Sequence, residues 1–165
     1  RFEADPMNVS RILCAVDPEV SDTLVADAAI TLAGATQASL TFVSVIPLAK
    51  SPGTIGFGMP GSNRFGTTAS ADFEVKGGRE AQVVEALQGR KVAAQQVTRG
   101  EVEIQVSHGS PEDTLVALAQ SGDYDLVVIG GGGKQGLLSS LLGSISYKVV
   151  RSSPCSVFVV RAQPA

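Results

Sequence analysis

Apolar positions along the chain alternate between short continuous runs and longer stretches with helical spacing. Arg11-Ile12-Leu13-Cys14-Ala15-Val16 reads as a fully buried strand, ended by Asp17-Pro18. Ser21 or Asp22 can cap a helix, in which Leu24, Val25, Ala28, Ala29, Leu32 and Ala33 recur at helical intervals and Gly34 closes or enters the last turn. Ser39 to Ile46 is a second apolar strand, stopped by Pro47. From Pro47 to Gly78 the pattern lapses into Gly, Ser, Thr and Pro with few large apolar residues, which predicts a long flexible loop over 47–78. Helical spacing returns from Arg79 to about Val97 through Ala81, Val84, Leu87 and Ala94.

Glu101 to Ser107 alternates polar and apolar residues, as a half-exposed strand near a sheet edge does. His108-Gly109-Ser110 turns the chain. Ser110, Pro111, Glu112 and Asp113 then make a strong helix start, with proline at the first helical position and two acids in the first turn. Leu126 to Ile129 is a fourth strand, Ser144 to Arg151 a further helix and Ser156 to Val160 a last strand. Strands and helices alternate, and most strands are apolar throughout. That combination predicts an α/β fold, a parallel sheet with helices on both faces.

The candidate chemistry lies where the fourth strand ends, at Gly130-Gly131-Gly132-Gly133-Lys134. Gly143-Ser144 follows and opens a helix. Glycine lets backbone N–H groups approach phosphate oxygens, and a helix N-terminus offers unpaired N–H groups to the same anion. Two glycine-bearing elements can thus clasp one phosphorylated ligand. Taken alone, the glycine run reads as well as a flexible connector.

Composition narrows the picture. One domain is expected of 165 residues, with 44% hydrophobic and 18% charged residues excluding disorder. A net charge of −3 gives no reason to expect nucleic acid or an anionic membrane as partner, so a phosphate site must rely on local dipoles. Two cysteines, Cys14 and Cys155, make no disulfide framework, and with a single histidine, His108, no metal site is expected. No apolar run approaches the roughly 20 residues that span a bilayer. The cytoplasm is the default compartment, and residues 1–8 read as a tail or appended residues ahead of a domain over 9–165.

Taken together, these residues resemble the universal stress protein family, over nearly the whole chain from Arg11 to Arg161. Nucleotide-binding members carry G-x2-G-x9-G-[ST], a pattern filled here by Gly130, Gly133, Gly143 and Ser144. Asp17 after the first strand, Gly109, Asp123-x-Asp125 and Ser153-Pro154-Cys155-Ser156-Val157 are also family-like. The resemblance implies a three-layer, doubly wound five-stranded parallel sheet of order 3-2-1-4-5, with a cleft between strands 1 and 4. It implies ATP with Mg2+ as ligand and a homodimer paired through the last strand, Ser156 to Arg161. Ala15, Val16 and Asp17 would meet adenine or ribose, Val45 would offer adenine backbone contacts, and Ile129 and Gly130 would line the ribose. Gly133, Gly143, Ser144 and Ser146 would meet phosphates. Gly131 and Gly132, between the first two motif glycines, supply no side chain.

No catalytic residue is expected. His108 has no neighbouring nucleophile motif and reads as a plain turn histidine. A Walker loop, G-x4-G-K-[ST], does not occur. The expected function is an ATP-binding regulatory or stress-response protein acting on an unknown protein partner. The alternatives are a dimeric adaptor of the same fold that binds no nucleotide, and a slow ATP hydrolase.

Overall fold

A computed structural model describes residues 8–17, 23–48, 69–132 and 142–161, of which 69–77 are described by their backbone alone. The elements run β1 (Arg11–Ala15), α1 (Leu24–Thr36), β2 (Ser39–Ile46), α2 (Ala69–Gln95), β3 (Val102–His108), α3 (Pro111–Ser121), β4 (Leu126–Gly130), α4 (Ser144–Ser152) and β5 (Ser156–Val160). They form one sheet of order β3-β2-β1-β4-β5, every pairing parallel. The fold is therefore the expected α/β architecture with the expected strand order.

The strand period of two divides the core. Ile12, Cys14, Leu40, Phe42 and Val128 turn to one face, where Ala26, Ala29 and Ala33 of α1 and Val83, Leu87 and Ala94 of α2 cover them. Leu13, Val43, Val127 and Ile129 turn to the other, against Leu115 and Ala119 of α3 and Val149 of α4. The alanine face of α1 lets that helix lie close on the central strands. Each large aliphatic side chain so buried contributes about 1.5–3 kcal/mol. No helix among the described residues is long and apolar enough to cross a membrane.

Local signals account for most boundaries. Ser110 caps α3 by accepting a hydrogen bond from the Asp113 amide, and Pro111 occupies the first turn. Gly34 lies within the last stretch of α1, and the left-handed C-cap falls to Gln37, at φ 59°. The Ser21 and Asp22 caps lie outside the described residues; Thr23 holds the N-cap position without a side-chain bond. One boundary corrects the sequence reading. α2 begins at Ala69, so the last ten positions of the expected loop over 47–78 are helical. Ala69, Ala71, Glu74 and Lys76 favour helix, and their contribution carries the segment past Gly77-Gly78 despite the cost of about 1 kcal/mol per helical glycine. Residues 49–68 of that loop lie outside the described residues.

Candidate functional site

The registered pairing of β1 and β4 runs from Ile12 and Leu126 to Cys14 and Val128. Beyond it the two chains part. Ala15, Val16 and Asp17 lead towards α1 on one face, while Ile129 and Gly130 lead towards α4 on the other. A doubly wound sheet takes its ligands at such a parting, outside the carboxyl ends of its strands. Val16 stays tied to β2 through its amide, 2.9 Å from the Val43 carbonyl, and is buried. Asp17 is exposed at the end of that tie. Val45 stands two positions beyond the Ala15–Val43 pair on the neighbouring strand, so its backbone borders the same edge.

The glycine run is a packing junction. A Cβ on Gly130 would sit 3.2 Å from Val25 Cγ2 of α1. On Gly131 it would sit 2.9 Å from Arg161 Cγ, just past β5. On Gly132 it would sit 3.0 Å from the Gly143 Cα that opens α4, and Gly132 holds φ 68°, a left-handed conformation that favours glycine. Three consecutive glycines thus admit three different elements. The Gly131 amide donates to the Val160 carbonyl at 2.7 Å, and its own carbonyl accepts from the Gly143 amide at 2.9 Å.

This junction brings the start of α4 to the loop. Gly143 is the N-cap and has no side chain with which to cap, while its carbonyl accepts from the Tyr147 amide at 2.8 Å. The amides of Ser144, Ile145 and Ser146 precede the first intrahelical bond, so they form the end of α4 best suited to an anion. The Ser146 hydroxyl points inward. It is 3% exposed and donates to the Gly130 carbonyl at 2.7 Å, fixing the loop to the helix.

The structure therefore gathers Ala15, Val16, Asp17, Val45, Ile129, Gly130, Gly143, Ser144 and Ser146 at one edge of the sheet. Gly133 and Lys134 lie outside the described residues. Sequence reasoning missed Gly132 and Arg161 as parts of the junction. The parallel pairing of β4 with β5, which sets Gly130 opposite Val160, was the signal that could have placed Arg161 beside Gly131.

Other candidates have structural roles. The Asp125 carboxylate accepts from the Ser10 and Arg11 amides at 2.8 and 2.9 Å and so anchors the start of β1. His108 Nε2 lies 3.6 Å from a Glu80 carboxylate oxygen, at the end of β3 beside α2. Cys14 is fully buried, and burial pushes its thiol up to about 12, so it remains a thiol and behaves as a small apolar residue. Among the described residues no group of three His, Cys, Asp or Glu could hold a metal ion.

A model of the Universal stress protein family matches residues 8–161. The chain belongs to that family. A universal stress protein of Methanothermobacter thermautotrophicus is 43% identical over 53 residues, 32% of this chain and 36% of that one. Another, from Methanocaldococcus jannaschii, is 35% identical over 60 residues, 36% of this chain and 35% of that one. The chain thus spans about a third of the length of these two curated relatives. Among solved structures, the universal stress protein UspA of Lactobacillus plantarum superposes with a TM-score of 0.71 at 24% identity, covering 93% of this chain and 99% of that one. A universal stress protein described in complex with cAMP superposes with a TM-score of 0.62 at 21% identity, covering 94% and 99%. At these identities the likeness is one of fold.

Proposed function

We propose that this universal stress protein binds an adenine nucleotide at the parting of β1 and β4, with ATP carrying Mg2+ as the ligand, and acts as a nucleotide-dependent regulatory protein. The observation that carries the reading is the contact between Gly132 and Gly143. It leaves no room for a Cβ and sets the glycine loop against the uncapped end of α4. Such a cradle suits phosphate oxygens, which accept from backbone amides and gain from the helix dipole. The cAMP named for one fold neighbour is of the same ligand class. Magnesium would arrive on the phosphate oxygens, as it commonly does, with at most one or two carboxylates from the protein. Asp17 is the carboxylate at the edge of the site. The test is the identity of the small molecule that copurifies with the protein, followed by calorimetric titration of the emptied protein with ATP and magnesium. Absence of both copurified nucleotide and titration heat would sink the reading and favour an adaptor that works without nucleotide.

The same reading includes a homodimer through β5, from Ser156 to Arg161. β5 is an edge strand, and Phe158 on it is 45% exposed. An apolar edge strand invites antiparallel pairing with a second copy about a two-fold axis. Phe158→Lys should shift the assembly towards monomer, measured by sedimentation equilibrium at micromolar protein. A wild-type chain sedimenting as a 16.9 kDa monomer would refute the pairing.

A further inference from the structure

Gly131 shows what the glycine loop holds in place. Left-handed backbone occurs at Gly109 and Gly132 among the described glycines, so conformation does not demand glycine at 131. Its neighbour does. A Cβ there would meet Arg161 Cγ at 2.9 Å and Nε at 3.4 Å, so the stem of Arg161 lies across the Gly131 Cα. Cγ is close to the backbone and has little freedom to swing aside. The hydrogen bonds of Gly131 to Val160 and Gly143 fix the end of β5 to the start of α4 at the same point. Along β5, Val157 and Val159 pack into the layer of α3 and α4, whereas Val160 packs with α1 and α2. Strand alternation carries residue 161 to the α4 side, where Gly143 and Ser144 open that helix. A permanent cation thus lies against the loop of a chain whose net charge is −3.

We infer that Arg161 is a phosphate-recognition residue of the glycine loop, one that selects a polyphosphate nucleotide over a cyclic monophosphate or a nucleoside. The inference rests on the nucleotide reading above. Backbone amides and a helix dipole offer only partial charges, which serve any phosphate. A guanidinium adds a full charge and a donor fork shaped for phosphate oxygens, so its contribution grows with the negative charge of the ligand. Gly131 is then glycine because a side chain there would displace that cation.

The test is calorimetric titration of wild type, Arg161→Ala and Arg161→Lys with magnesium ATP, cyclic AMP and adenosine, at matched assembly state. Arg161→Ala should weaken ATP about tenfold, about 1.4 kcal/mol. It should weaken cyclic AMP less and leave adenosine unchanged, and Arg161→Lys should restore part of the loss. Equal losses for all three ligands, or no loss for ATP, would overturn the inference and leave the nucleotide reading standing. A wild-type protein that binds none of the three removes both. A second arm reads the placement without ligand. Gly131→Ala should lower the melting temperature in the wild-type background and do so much less in Arg161→Ala. Additive losses would show that Arg161 does not occupy that space and would overturn the inference.

Discussion

The two ends of the sheet use close backbone approach in opposite ways. At the amino ends of the strands, a Cβ on Gly100 would sit 2.3 Å from the Ala38 carbonyl oxygen. Around that contact polar groups are satisfied within the protein. The Thr98 hydroxyl donates to the Ala38 carbonyl at 2.8 Å and accepts from the Gly100 amide at 3.1 Å. The Gln37 side chain donates to the Gly34 and Val97 carbonyls and accepts from the Arg99 amide. At the carboxyl ends, Gly132 and Gly143 also approach closely, a Cβ on Gly132 falling 3.0 Å from the Gly143 Cα, yet the helix they bring in has no side-chain cap. Glycine therefore does not by itself mark a ligand site. The proposed site differs in combining a close approach with a helix start that has no side-chain cap. Two surface hollows, of about 500 and 170 Å³, open at the amino end near Gln37 and near Arg11, away from the proposed nucleotide site.

The largest effect should come from filling the closed pole. Gly100→Val forces a branched side chain into backbone atoms of Ala38 and Ser39, within 2.3–2.5 Å of where its Cβ must lie. Overpacking typically costs 1–3 kcal/mol, and against backbone the loss should reach about 3 kcal/mol. Urea denaturation would measure it. A loss below about 1 kcal/mol would mean that the two segments separate easily, and the contrast between the poles would weaken.

Filling the open pole should act on binding first. Gly143→Val places its Cβ 3.2 Å from Gly132 Cα, pushing the loop from the helix end. Nucleotide affinity should fall at least tenfold, about 1.4 kcal/mol, by calorimetric titration of a variant whose circular dichroism is unchanged. Unchanged affinity would remove Gly143 from the site and leave both poles merely structural.

How far the sequence disclosed this contrast depends on what each feature needs. Strand positions were legible because parallel strands are short, near-continuous apolar runs, whether buried as Ser39–Ile46 or at the sheet edge as Ser156–Val160, and both lie where the pattern put them. The start of α3 was legible because Ser110 and Pro111 act within one turn. The first ten residues of α2 were hidden, since Gly77-Gly78 and scattered polar residues obscure any apolar stripe there. Gly100 drew no notice, although its contact with Ala38 is the tightest that any described glycine makes with backbone atoms, because it depends on segments about 60 residues apart. The same holds for Arg161 against Gly131. The glycine run announced a candidate site; which element each glycine admits is a property of the assembled fold.

A smaller effect, confined to stability, is expected of Thr98→Val. Thr98 is 7% exposed, and its hydroxyl joins Ala38 to Gly100. Removing it leaves a buried carbonyl and an amide without that partner, at a cost of about 1–3 kcal/mol and below that of Gly100→Val. Nucleotide affinity should stay within twofold of wild type. A large loss of affinity would couple the two poles and break the comparison.

The smallest effect tests whether the open pole relies on the outer surface of α4. Lys148 of α4 donates to the Asp113 carboxylate of α3, and both side chains are exposed. The lysine, with the Ser110 hydrogen bond, holds the Asp113 carboxyl below its ordinary value of 3.8, and the aspartate holds Lys148 above 10.5. A carboxyl lowered by folding stabilises the fold above its ordinary value and loses that contribution as pH falls through the lowered one. A lysine raised by folding contributes below its ordinary value and loses the contribution as pH rises through the raised one. The pair should therefore act between about pH 5 and pH 10, and salt should weaken it, since exposed pairs are screened. Asp113→Asn should lower the melting temperature slightly at pH 7, with the difference shrinking towards pH 3 and in molar salt. Affinity for ATP should not change, because Gly131, Gly132 and Ser146 fix the start of α4 independently of Lys148. A fall in affinity as large as that of Gly143→Val would show that the cradle depends on how α4 is braced against α3, and the open pole would then extend along the helix rather than end at the loop.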